Sequence, residues 1–251
     1  EDPSYPDTYE QMIKVIAAGR PKLREDEEIR KFHNCIKKKL VNIYAPGSQS
    51  ILDIGIGRGG DLMKYRDIPG IARIVGVEPN PDYLKECKER IESLKITNVE
   101  LVNSGIEEYQ PTGSFDLCCS FFSLSFFFDK PDHFAKVCQK LVAGGVKRFI
   151  GCTIDGESLR STDDQNNNLF KIEKLDNQTV KFTMHGDTTV IEQTEYYVDW
   201  DVMVTKLYEH GYHLVETEKF KPPCYFNASQ SLYSKLFRTF VFEPVHGQCR
   251  L

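Results

Sequence analysis

Ile51-Leu52-Asp53-Ile54-Gly55-Ile56-Gly57-Arg58-Gly59-Gly60-Asp61-Leu62 is the stretch that decides the fold. A short apolar run breaks into glycines at 55, 57 and 60, spaced GxGxxG. At a strand-to-helix junction that spacing lets the backbone approach a ligand closely. Outward from it, the pattern alternates. Strands are expected over 50–54, 73–77, 99–102, 115–122 and 148–153. Helices are expected from about Gly60, over 81–94 with Asn80 as N-cap, and over 131–141, ended by Gly144-Gly145. Strands that alternate with helices predict a doubly wound, mostly parallel α/β sheet. The continuous apolar strands agree, because parallel strands are buried on both faces.

The flanks read differently. Helices are expected over 10–18 and 26–41, the second with Ile29, Phe32, Ile36, Leu40 and Val41 at helical spacing. Residues 161–168 are polar and predict a mobile loop, and 171–195 alternates in strand fashion. A helix over 199–211 and strands over 212–216 and 236–242 close the chain. The organisation is therefore one domain over 1–251. It has N-terminal helices (1–45), an α/β core (46–155), a polar loop with a β-rich insertion near 169–198 (156–198), and closing elements (199–243).

With 251 residues, 40% hydrophobic and 27% charged, the composition is that of an ordinary globular chain. Lys plus Arg at 32 against Asp plus Glu at 37 gives −5, which excludes a uniformly basic nucleic-acid binder but leaves room for a local basic patch. The longest apolar run, 117–128, has twelve residues and three serines, too short to span a membrane. Eight cysteines carry no CxxC pair and no zinc-like His spacing, which points to a reducing compartment with Cys118 and Cys119 in the core. His185, His210, His213 and His246 read as surface or structural residues.

Two carboxylates narrow the ligand. Asp53 stands two residues before the first glycine, where dinucleotide oxidoreductases usually carry an apolar residue. Glu78 ends the next strand, where it can accept both hydroxyls of a ribose. An acid beside the loop repels a pyrophosphate but suits an α-amino group and a sulfonium, so the matching ligand is S-adenosylmethionine. A nicotinamide site and a merely structural turn are the competing readings.

Two segments, Arg30-Lys31-Phe32-His33-Asn34-Cys35-Ile36-Lys37 and Leu52 to Lys64, together resemble the mRNA cap guanine-N7 methyltransferase family. So do Cys119-Ser120-Phe121-Phe122-Ser123-Leu124-Ser125-Phe126, Glu195-Tyr196-Tyr197-Val198 and Phe240-Val241-Phe242-Glu243. The resemblance implies a Rossmann-like class I S-adenosylmethionine-dependent methyltransferase fold with a mostly parallel seven-stranded sheet. It also implies S-adenosyl-L-methionine as donor, S-adenosyl-L-homocysteine as product, and no metal. The divergence suggests a viral member, similar to the C-terminal domain of an African swine fever virus or poxvirus-like mRNA-capping enzyme. That implies excision from a chain fused to triphosphatase and guanylyltransferase domains, the capped 5′ end of mRNA as partner, no membrane, and a place in the host cytoplasm or virion.

Carried onto this sequence, the resemblance gives a donor set of Lys37, Asp53, Gly55, Gly57, Glu78, Asn103, Phe121 and Phe126. It gives a cap set of His33, Asn34, Arg58, Lys64, Arg90, Ser125, Glu195 and Phe237. Lys37 would reach the donor's carboxylate, and Asn103 would accept from the adenine amino group. Arg58, Lys64 and Arg90 would face the triphosphate. Glu195 would read the guanine, whose N1–H and N2 amino group are donors. The family's polar residues are replaced by Phe121, Ser125 and Phe126, and its cap-contacting Tyr by Phe237. N7 of guanine carries a lone pair and no proton, so no general base is required and no residue is assigned to catalysis beyond positioning and electrostatics. Transfer to a small molecule or protein, and a non-catalytic RNA-binding module, are the alternatives.

Overall fold

A computed structural model describes residues 24–130, 132–185 and 190–245. The helix expected over 10–18, and with it His246 and Cys249, lies outside those residues. The first described helix, α1 (Glu25–Tyr44), turns Ile29, Phe32, His33, Leu40 and Val41 inward. The core then alternates as the glycine stretch predicts: β1 (Ser50–Ile54), α2 (Leu62–Arg66), β2 (Arg73–Val77), α3 (Pro81–Leu94), β3 (Val99–Val102), β4 (Leu117–Phe121), α4 (His133–Ala143) and β5 (Phe149–Ile154). Helix α3 starts where expected because the Asn80 side chain accepts from the Asp82 and Tyr83 amides and Pro81 needs no partner at the first turn.

The apolar run at 115–122 does not continue as a strand. It ends at Phe121 and turns into a 3₁₀ helix, Leu124–Phe128. Phe122 takes φ 63°, a region a bulky side chain rarely occupies. Its amide donates to the Cys152 carbonyl at 2.8 Å, and its ring packs against His33, Phe220 and Phe237. These contacts hold the strained residue in place.

Beyond β5 come α5 (Gly156–Ser161), β6 (Gln165–Asn166), β7 (Phe170–Lys174), β8 (Thr179–His185), β9 (Val190–Tyr196), α6 (Trp200–Glu209), β10 (Tyr212–Lys219), α7 (Ala228–Ser234) and β11 (Phe237–Pro244). One of these corrects the expected polar loop over 161–168: β6 pairs with β7. Just before it, Asp155 caps α5 through the Ser158 amide. Helix α7 was not anticipated; its capping box joins Asn227 and Gln230.

The main sheet has seven strands in the order β10-β11-β5-β4-β1-β2-β3, with β11 antiparallel to both neighbours. Strands β4 and β5 are buried throughout, and β1 and β2 at all but their first residue. Strand order reverses between β1 and β4, the position where such sheets open a ligand crevice at their carboxyl ends. A second sheet, β6-β7-β8-β9, holds the inserted segment. All seven cysteines among the described residues are free thiols, five of them buried, including Cys118 and Cys119.

Candidate active site

The glycine loop follows β1 at the carboxyl edge. Gly55, Gly57 and Gly59 all have positive φ. Gly55 is needed first for packing and only then for ligand approach. A Cβ there would lie 2.6 Å from the Cβ of Ser123. Ser123 closes the loop by donating to the Ile54 carbonyl at 2.7 Å. Gly57 differs, since a Cβ there would meet nothing nearer than the Gly55 carbonyl at 3.9 Å. Gly55→Ala should therefore destabilise the fold by about 2–4 kcal/mol through clash and backbone strain. Gly57→Ala should cost about 1 kcal/mol from conformation alone. Denaturant unfolding of the two variants measures the difference.

Glu78 sits at the end of β2, buried, with Oε2 accepting from the Gly57 amide (3.1 Å) and Oε1 from the Asn80 amide (2.9 Å). Each oxygen keeps a lone pair for a further donor. Asn103 Nδ2 donates to the carbonyls of Glu78 and Pro79, which leaves its Oδ1 as the remaining acceptor. Asp53 is only 3% exposed and accepts from the Tyr65 hydroxyl at 2.9 Å. Burial, with the Asp61 charge adding to it, raises its carboxyl to about 7 against the opposing Tyr65 bond. A cation placed beside it would favour its ionised form.

Asp61 joins the two lysines. Lys37 reaches it at 2.8 Å and Lys64 at 2.7 Å, and Lys64 also donates to Asn34 Oδ1 at 3.2 Å. Burial favours protonating Asp61, but the two ammonium groups outweigh it and hold the acid below its ordinary value. Lys37 Nζ lies 5.6 Å from the ring centroids of both Phe121 and Phe122. The structure thus places Lys64, expected at the triphosphate, in a buried ion pair with its side chain 7% exposed. Arg58 is exposed, stacked over Tyr83 and paired with Glu86 at 2.9 Å. Arg90 is exposed near Gly60.

The acceptor side gathers on the inserted sheet and the 3₁₀ turn. Ser125 is buried and donates to Glu195 Oε2. Burial raises the Glu195 carboxyl to about 6, partly offset by that bond. A cavity beside Glu195 is lined by Tyr233, Phe237, Gln193 and Phe182 among others. His33 is buried and stacks on Phe122 and Tyr233, with its Nε2 3.1 Å from the Ser234 hydroxyl. Burial and then the Lys37 charge lower it to about 3, so it stays neutral. Phe237 touches both His33 and Tyr233, while Phe126 is 39% exposed.

Several participants carried no usable sequence signal. Tyr65 reaches Asp53, Ser123 reaches Ile54 and Asp61 reaches Lys37 only through tertiary contact. Tyr233 was hidden with α7, although Asn227 and Gln230 at capping-box spacing would have located that helix. His133, bonded through Nδ1 to Asp129 with Nε2 3.4 Å from Glu107, ties the 3₁₀ turn to the turn after β3. Among the described residues no group of three or more His, Cys, Asp or Glu is placed to hold a metal ion.

A family model described as a methyltransferase domain matches residues 51–145. The mRNA cap guanine-N(7) methyltransferase of Candida glabrata is 27% identical over 166 residues, 59% of this chain and 39% of the relative. That of Saccharomyces cerevisiae is 31% identical over 91 residues, 36% of this chain and 21% of the relative. A protein of Acanthamoeba polyphaga mimivirus named "Probable mRNA-capping enzyme" is 37% identical over 71 residues, 28% of this chain and 5% of the relative. The chain therefore spans well under half the length of these relatives. In fold it is similar to an S-adenosylmethionine-dependent methyltransferase from Clostridium acetobutylicum, with TM-score 0.63, 14% identity, and coverage of 94% of this chain and 99% of that one. The CcbJ methyltransferase from Streptomyces caelestis gives 0.59 at 16% identity, covering 91% and 98%. The fold is that of class I S-adenosylmethionine-dependent methyltransferases, and the stretch that matches the methyltransferase-domain model is its glycine loop and the strands and helices that follow.

Proposed function

We propose that this chain transfers a methyl group from S-adenosylmethionine to N7 of the guanine in a 5′ GpppN mRNA cap. The observation that carries the reading is the turn after β4. Its Ser123 packs on Gly55 of the donor loop, and two residues on its Ser125 holds the Glu195 carboxylate. One short turn thus fixes the donor side relative to the acceptor side, which is what an in-line transfer needs.

The donor set fits the group. Space is open over Gly57, Glu78 is tied down by the Gly57 and Asn80 amides with lone pairs to spare, and Asp53 is a buried carboxyl next to that loop whose ionised form a cation would favour. S-adenosylmethionine supplies a methyl carbon made electrophilic by its sulfonium. The chain's own task is to orient the acceptor and exclude water, because guanine N7 has a lone pair and no proton to remove. Glu195 suits guanine: a carboxylate can accept from N1–H and the N2 amino group together. The matches to proteins named as cap methyltransferases support the substrate class. The mimivirus match favours a viral parent; other capping domains in that parent and a place of action in the host cytoplasm are part of the same proposal.

A second reading, transfer to a small molecule or protein, draws on one observation. Lys64 is taken up by Asp61, and only Arg58 and Arg90 remain exposed as phosphate ligands. Transfer of labelled methyl to GpppA, GpppG and uncapped RNA separates the two. Both caps should be methylated and uncapped RNA should not. Replacing Arg58 and Arg90 together by Ala should then weaken cap binding and flatten its salt dependence by about one unit of slope or more. Donor affinity should be unchanged, since the surface pair Arg58 makes with Glu86 adds little.

A further inference from the structure

Tyr233 lines the Glu195 cavity from α7, on the side from which no earlier contact was expected. Four aromatic neighbours fix its ring. His33 stacks on it at 6.0 Å and 10°, while Phe170, Phe182 and Phe237 lie at 5.2, 6.2 and 5.4 Å. A phenol held so firmly has a hydroxyl in a set place at no further entropic cost. That hydroxyl has no hydrogen-bond partner among the described residues. It is close enough to Glu195 for the carboxylate's charge to act on it. Burial first, and that charge second, raise the phenol, so it remains a donor at every physiological pH.

The cavity therefore presents a hydroxyl donor beside a carboxylate with two acceptor oxygens. The Watson–Crick edge of guanine runs in the complementary order: the O6 acceptor, then the N1–H and N2 donors. Adenine offers a donor where guanine has O6 and an acceptor where it has N1–H, so it mismatches both residues. Resting on the proposed cap reading, we infer that Tyr233 is a specificity-determining residue that donates to guanine O6 while Glu195 takes N1–H and N2. Phe237 cannot supply that bond, having no hydroxyl. It serves as the wall against which the Tyr233 ring is set.

The test uses the full chain, the variant Tyr233→Phe, and two caps, GpppG and its 6-thioguanosine analogue, in which a weak sulfur acceptor replaces O6. Wild type should prefer GpppG in kcat/KM by about tenfold, the worth of one good hydrogen bond. Tyr233→Phe should lose about that factor on GpppG and little on the thio cap, bringing the ratio near one. S-adenosylhomocysteine affinity and the unfolding midpoint should match wild type, because the ring and its packing are retained. Equal wild-type activity on both caps, or equal losses on both in the variant, overturns the role of Tyr233 while leaving the cap reading standing. No transfer to GpppG by wild type overturns the cap reading and this assignment with it.

Discussion

Glu195→Gln is expected to lower kcat/KM for GpppG about a hundredfold, while S-adenosylhomocysteine affinity stays within about twofold of wild type. Two charge-assisted bonds are weakened, each worth about 1.5–3 kcal/mol, and an amide NH₂ is turned toward a donor edge. A tilted guanine no longer holds N7 in line, so the loss belongs to the transition state. An inosine cap, lacking the N2 amino group, should be a poorer substrate for wild type and should lose less on mutation. Equal slowing of both caps would remove Glu195 from guanine reading. The pH response follows from the raised carboxyl. Only the ionised form accepts from N1–H and the N2 amino group together, so kcat/KM should climb with pH up to about 6 and level off above it. Ser125→Ala removes the bond that offsets burial, so it should move that limb to higher pH, and in Glu195→Gln the limb should vanish.

Glu78→Ala is expected to weaken S-adenosylhomocysteine binding about a hundredfold or more, read by calorimetric titration. The change removes two acceptors for the ribose. It also frees the Gly57 and Asn80 amides that the carboxylate now holds at 3.1 and 2.9 Å. Glu78→Gln should bind weakly as well, because one end of the amide must face a backbone N–H with another N–H. Unchanged affinity in the Ala variant would move the donor pocket elsewhere.

What could be read in advance depended on how local its cause was. Strands β1, β2 and β3 and helix α3 begin and end where apolar runs and the Asn80–Pro81 start dictate. Those signals act within a few residues. The end of β4 was illegible because Phe122 takes its left-handed backbone from rings on α1, β11 and the segment before α7, and no phenylalanine announces that. The glycine loop was legible as a loop, but the reason for Gly55 was not, since Ser123 comes from the turn after β4. The family resemblance puts Lys64 at the triphosphate. Its burial depends on Lys37 and Asn34 from α1 meeting Asp61 at the end of the glycine loop. His33 looked like a polar contact for the cap, and its aromatic cage emerges only once α1 meets α7.

The separation of the two sheets bears on how such a chain can change. Asp53, Glu78 and Asn103, the residues proposed to hold the donor, stand at strand ends of the seven-stranded sheet, whereas Glu195 lies on β9 of a sheet that shares no strand pairing with it. Substitutions, insertions or even exchange of the 165–196 segment can remake what is recognised without disturbing the cofactor pocket. Selection for a new acceptor would fall first on that appended sheet and on the turn that meets it, and a lineage could diversify its targets while inheriting its chemistry intact.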